Sequence, residues 1–277
     1  MEAATHRYCA GMPQLCFTGL SENWLLKECG HRHWEALAAH SGRDAPDFVA
    51  EDGARSYAAF TAIRLRAKGL DCIAENDGFE ILTSLSRVGA VRHFSSHSVM
   101  SDGIARASLA MSTTFVQRHA ARDNRSVARA TLAALTGDVI PMSDEARQMT
   151  LLGKRLRAGE RDAWERLATC ASSQHAPCVF SPCPNNDFNG ADFLYFASFQ
   201  AFVDRAEWQR HRFAEPPVLV GRDLHFYGNV NVGDTLAVHV VAERVDETGV
   251  AHWSEVRRGS DWQKIADVLT EKQWRRR

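Results

Sequence analysis

The stretch from Asn185 to Trp208, NNDFNGADFLYFASFQAFVDRAEW, limits the possible folds of this chain more than any other. Pro182, Pro184 and Asn185-Asn186 supply turn chemistry that suits neither a helix interior nor a central strand. From Ala191 the residues are apolar nearly all round (Phe193, Leu194, Phe196, Ala197, Phe199, Phe202, Val203, Ala206), and after Asp192 charge returns only at Asp204, Arg205 and Glu207. The pattern predicts a helix from about Ala191, buried on most sides, with Asp187 or Asn189 as its cap. The first N–H groups of a helix have no partner within it. A polar, glycine-containing start therefore suits a developing negative charge.

Composition narrows the class. The chain has 277 residues, 45% apolar and 24% charged, which fits one large or two ordinary globular domains. A formal net charge of −1 gives no general field for nucleic acid or an anionic membrane. No apolar run approaches the ~20 residues of a membrane helix. Seven cysteines without a CxxC pair read as reduced thiols, and MEAATHRYCAGMPQ lacks the basic start and apolar core of a signal peptide. The expectation is a cytoplasmic protein.

Along the chain, Met12–Thr18 reads as a short strand and Asn23–Ala39 as a helix ended by Ser41-Gly42. Strand character follows at Ser56–Leu65, then in two runs, Phe79–Met100 and Ile104–Gln117, joined by Ser101-Asp102-Gly103. Residues 121–176 turn charged and helical, as in a surface connector. Then the order repeats: a strand at Cys178–Ser181, the long helix, and strand runs at Val218–Asn229, Thr235–Val245, Val250–Arg257 and Lys264–Trp274. An offset of about 170 residues sets Gly19 beside Gly190 and Tyr57 beside Tyr227. The plan is α+β: two pseudo-twofold-related antiparallel sheets, each wrapping one long central helix. The boundaries expected are 1–120, a connector over 121–176, and 177–277.

That plan is the double hotdog. Asp187-Phe188-Asn189-Gly190 resembles the motif of hotdog thioesterases, an Asp and a Gly with two residues between, although Ala191 stands where they usually carry a His. GLSENWLLKECGHRHW, FNGADFLYF and FYGNVNVGD together resemble the double-hotdog acyltransferase/decarboxylases of polyketide pathways, the leinamycin-pathway type. The resemblance implies that methylmalonyl- or malonyl-coenzyme A is decarboxylated. The propionyl or acetyl group then passes to an acyl carrier protein. It also implies an active-site tyrosine, carried here to Tyr57 in DGARSYAAF.

Decarboxylation beside a thioester places electrons on the carbonyl oxygen, so fixed donors are required and no metal or organic cofactor is. The candidates are the Gly190 backbone N–H and the Asn189 side chain, with Asp187 as cap or acid. Glu22 and Asn23 hold the corresponding place at the first helix. A phenol near pKa ~10 is a poor nucleophile at neutral pH, so Tyr57 either has its pKa lowered, with Arg55 two residues away, or donates a hydrogen bond. His93 and His97 share a strand face, but no third ligand is spaced to join them, so no metal is expected; His31 and His33 read as surface residues. The alternatives are a hotdog thioesterase or dehydratase on coenzyme A or carrier-protein thioesters, and a non-catalytic acyl-binding protein. A double hotdog already contains a paired interface, so monomer and homodimer are both compatible.

Overall fold

The computed structural model describes residues 4–132 and 138–275. They divide into two compact units, Met1–Met149 and Thr150–Arg277. In the first unit, β1 (Ala4–Cys9), β2 (Arg55–Ala67), β3 (Gly78–Arg87), β4 (Arg92–Ser101) and β5 (Ile104–Arg118) form an antiparallel sheet in the order β1-β3-β4-β5-β2. One helix, α1 (Glu22–His40), lies against it. Ser21 caps α1 by accepting from the Trp24 N–H at 3.3 Å, and the chain leaves through Ser41 and Gly42, whose φ of +64° suits glycine. Leu25, Leu26, Cys29 and Leu37 of α1 are fully buried, each leucine contributing roughly 1.5–3 kcal/mol.

The second unit repeats this architecture. β6 (Val218–Phe226), β7 (Leu236–Asp246), β8 (Gly249–Arg258) and β9 (Lys264–Gln273) run β6-β9-β8-β7, and the short strands Ala171–Ser172 and Cys178–Phe180 add to β7. The helix α3 (Phe196–His211) packs on this sheet through Phe199, Phe202, Val203 and Ala206, all nearly fully buried. Sheet wrapped on helix, done twice, is the double hotdog.

Several sequence expectations change. The run Phe79–Met100 is a hairpin, β3 and β4, because Val88 N–H donates to the Arg92 carbonyl across a turn containing Gly89. The first strand is Ala4–Cys9, an edge strand paired with β3; its mostly exposed side chains gave no alternation to read. Only Leu15–Cys16 of the expected Met12–Thr18 strand is extended in pairing, after a 3-10 turn at Met12–Gln14. The charged helix α2 (Asp144–Arg157) is not merely superficial. Its first half buries Ala146 and Met149 against Ala62, Phe94 and Ala110, and its last turns bury Leu156 against Ala242, Trp253 and Leu269.

Candidate functional site

The loop before α3 is stitched together by its own side chains. Pro184–Asp187 makes a single helical turn, closed where Asp187 Oδ2 accepts from the Cys183 N–H at 2.7 Å. Asn189 Oδ1 accepts from the N–H groups of Ala191 (3.0 Å) and Phe193 (3.1 Å), and the Asn189 N–H donates to the Phe193 carbonyl at 2.9 Å. The Asp187 carbonyl takes the Tyr195 N–H (2.8 Å) and the Ser198 hydroxyl (3.0 Å). These bonds occupy N–H groups in non-helical backbone. The helix therefore starts at Phe196 with Tyr195 as its N-cap, five residues later than the apolar pattern suggests.

The late start corrects the reading of Gly190. That residue lies exposed in the loop, outside the helix terminus, and a Cβ there would meet nothing within 4 Å. Asp187 and Asn189 do come together in one loop. Asp187 is 6% exposed, and its Oδ1 accepts no hydrogen bond among the described residues. Asn189 likewise spends its oxygen on the loop, while its Nδ2 donates to nothing among the described residues. The loop thus offers the Asp187 Oδ1 acceptor and the Asn189 Nδ2 donor.

Tyr57, Glu22 and Asn23 belong to the first unit. Glu22 and Asn23 are the opening residues of α1, where a carboxylate complements the helix dipole. In β2, Ala58 packs with Leu37 of α1, and the Phe60 ring lies 5.2 Å from that of His33, so Tyr57 faces the opposite side of the sheet. Trp34 Nε1 donates to the Ala58 carbonyl at 3.0 Å, so the adjacent Tyr57 backbone lies level with the second half of α1. From Glu22 to Trp34 is roughly 18 Å along a helix axis. The unit therefore separates Tyr57 from Glu22 and Asn23. Arg55 sits over the Tyr57 ring, its guanidinium carbon 5.9 Å from the centroid, a contact with the ring face.

Sequence reasoning missed the polar interiors between helix and sheet. In the first unit, Thr113 Oγ1 meets His33 Nε2 (2.9 Å), His33 Nδ1 meets Ser95 Oγ (2.7 Å), Ser95 Oγ meets His97 Nε2 (2.8 Å), and His97 Nδ1 meets Thr83 Oγ1 (2.9 Å). All five side chains are buried. His33, expected at the surface, is 0% exposed. Burial holds His33 well below the usual imidazole range, and pushes His97 down to about 3 and neighbouring His93 to about 4.

In the second unit the corresponding space is ionic. Arg222 and Lys272 meet Asp204 Oδ1 at 2.8 and 3.0 Å, and Lys272 meets Glu207 Oε1 at 2.6 Å. Burial works to raise the Glu207 carboxyl, but Lys272 and His252 outweigh it and hold the group at about 2. His252 joins Glu207 Oε2 (3.1 Å) to Ser254 Oγ (3.0 Å), an acid–imidazole–hydroxyl series. Ser254 is 0% exposed and Lys272 occupies the second oxygen of Glu207, so the series fastens α3 to its sheet.

Tyr227, the counterpart of Tyr57 in the repeat, also faces away from the central helix, since adjacent Phe226 packs on Phe199 of α3 at 5.2 Å. Its hydroxyl is 3.1 Å from the Gly153 carbonyl and 2.8 Å from Asp267 Oδ2. Asp267 also accepts from Trp253 (2.8 Å) and pairs with Lys264 (3.1 Å). These partners tie α2 to the sheet. Among the described residues no group of three or more His, Cys, Asp or Glu side chains is placed to hold a metal ion. No described helix is long and apolar enough to cross a membrane.

No protein-family model matches the sequence, and no curated protein does. The fold itself has clear counterparts among solved structures. The chain is similar to a 12:0-ACP thioesterase from Umbellularia californica, at 8% identity and a TM-score of 0.67, over 99% of this chain and 98% of that one. It is also similar to an acyl-ACP thioesterase from Bacteroides thetaiotaomicron, at 11% identity and a TM-score of 0.59, over 98% of each chain. The double-hotdog architecture therefore extends over essentially the full length.

Proposed function

We propose that this chain hydrolyses acyl thioesters whose acyl group is carried on coenzyme A or an acyl carrier protein. The observation that carries the reading is the Asp187–Asn189 loop: a buried carboxylate with one uncommitted oxygen and an amide with an uncommitted donor, two residues apart. Asp187 Oδ1 takes a proton from a water molecule as that water adds to the thioester carbonyl. Asn189 Nδ2 donates to the carbonyl oxygen as it gains charge. Collapse of the adduct breaks the C–S bond, the thiol leaves with a proton, and the free acid remains. Neither a metal nor an organic cofactor is required by this chemistry. The full-length likeness to structures described as acyl-ACP thioesterases supports the substrate class. The test is thiol release from a panel of acyl-coenzyme A thioesters by the wild type and by Asp187→Asn, which keeps the Cys183 contact but removes the base.

A second reading, acyl transfer with decarboxylation, is favoured by one specific feature. Ala191 stands where hotdog thioesterases usually carry a histidine. In this reading methylmalonyl- or malonyl-coenzyme A loses carbon dioxide, and Tyr57 participates in passing the propionyl or acetyl group to a carrier protein in polyketide assembly. Intact-mass analysis after incubation with methylmalonyl-coenzyme A separates the two. A propionyl adduct lost in Tyr57→Phe supports transfer, and free acid without an adduct supports hydrolysis.

A further inference from the structure

Asn229 lies outside the Asp187–Asn189 loop, yet its side chain grips that loop as a neighbouring strand would. Its Oδ1 accepts from the Leu194 N–H at 2.9 Å, and its Nδ2 donates to the Leu194 carbonyl at 3.2 Å. The carboxamide therefore satisfies both polar groups of a single residue, the pairing that one peptide unit makes with another. Oδ1 also takes the Val230 N–H at 2.9 Å, which fixes the side chain to its own backbone. Behind it, Arg258, 4% exposed, donates from Nη1 to the Asn229 carbonyl at 3.1 Å and is itself held by Asp261 and Gln263.

Leu194 sits where this grip reaches Asp187. It bridges to Phe188, and the following residue, Tyr195, donates its N–H to the Asp187 carbonyl at 2.8 Å. Asn189 holds the near side of the loop and Asn229 the far side. Asn189 acts from within the loop, whereas Asn229 ties it to the segment that follows β6. Only an amide serves in this place: a carboxylate would lose the donor to the Leu194 carbonyl, and a hydroxyl is too short to bond both groups.

We propose that Asn229 is a positioning residue for thioester hydrolysis, locking Leu194 so that the Asp187 carboxylate is presented in one geometry. The proposal rests on the hydrolytic reading and goes beyond it in assigning the role to a residue distant in sequence.

The test compares wild type, Asn229→Asp and Asn229→Ala by steady-state thiol release from acyl-coenzyme A and by amide hydrogen exchange over residues 188–198. Positioning predicts a kcat fall of about 10–100-fold in Asn229→Ala with KM changed less than about threefold, consistent with the sensitivity of catalysis to small misplacements. Asn229→Asp, which keeps the acceptor alone, falls between the two. Exchange accelerates in the loop while the β-sheet amides keep their protection. Wild-type kcat in Asn229→Ala, or exchange unchanged across the loop, overturns the proposal. So does a parallel loss of protection throughout the second unit, which would mark a merely structural role. A wild type that releases no thiol from any thioester, with the loop exchange responding as expected, refutes the hydrolytic reading and with it the catalytic part of this assignment, leaving the clamp.

Discussion

The two units solve the same packing problem with different chemistry. His33 and Glu207 are each the twelfth residue of their helix, counting from Glu22 and from Phe196. Each meets a Ser/His pair spaced two apart on a strand: Ser95 and His97 in the first unit, His252 and Ser254 in the second. In the first unit the series is neutral. Each neutral imidazole accepts at one nitrogen and donates at the other, and the hydroxyls, able to do both, complete the bonds. In the second unit, charge balances charge, Asp204 and Glu207 against Arg222 and Lys272. A hotdog interior thus tolerates polar groups of either kind, most of them paired, although both ring nitrogens of buried His93 lack a hydrogen-bond partner among the described residues.

Breaking the ionic side should have the largest effect. Lys272→Met leaves Glu207 buried beside Asp204 without its cation and should cost about 3–5 kcal/mol in urea unfolding. On the neutral side, His33→Leu strands the Thr113 hydroxyl while Ser95 keeps His97, and should cost less, about 1–3 kcal/mol. An equal or larger loss in His33→Leu would reverse the ranking of the two interiors.

Acid separates the units further. His33, His93 and His97 have folded pKa values below the unfolded 6.5, so the unfolded state binds more protons in that window. Their contribution is complete above pH 6.5 and is lost as the pH falls towards the values of about 4 and 3 held by His93 and His97. Each histidine costs up to about 1.4 kcal/mol per pH unit. Glu207 moves oppositely in origin: its carboxyl, at about 2 when folded, stabilises the chain above 4.5 and fails only below it. His252, lowered chiefly by burial, is the second unit's share of the histidine window. Hydrogen exchange corrected for intrinsic rates should therefore show the first unit losing protection between pH 6.5 and 4.5, before the second. The reverse order would contradict the assignment of neutral and ionic interiors.

Much of the frame was legible in the sequence because it rests on local signals. Ser21 and Ser41-Gly42 bracket α1, and Asp102-Gly103, both at positive φ, turn β4 into β5. The second central helix was visible as an apolar run, but its start was not. Asn189 is both a helix-capping residue type and an organiser of non-helical loops, and only the folded chain shows which role it takes. The polar interiors were unreadable for a different reason. His33, Asp204 and Glu207 look like solvent-facing residues until Ser95, Thr113, Arg222, Lys272 and His252 arrive from strands far away in sequence. Asn229 belongs to FYGNVNVGD, yet its grip on Leu194 crosses thirty-five residues and leaves no local trace.

At the centre stands the claim that Asp187 acts on thioesters from a loop fixed ahead of α3. The most direct measurement is the rate of thiol release from acyl-coenzyme A by wild type and Asp187→Asn at equal concentration and matched folded fraction. Turnover by the wild type is expected, with a fall of about 10²–10⁴-fold in the variant, the range for a positioned general base. Equal rates in the two proteins would contradict it.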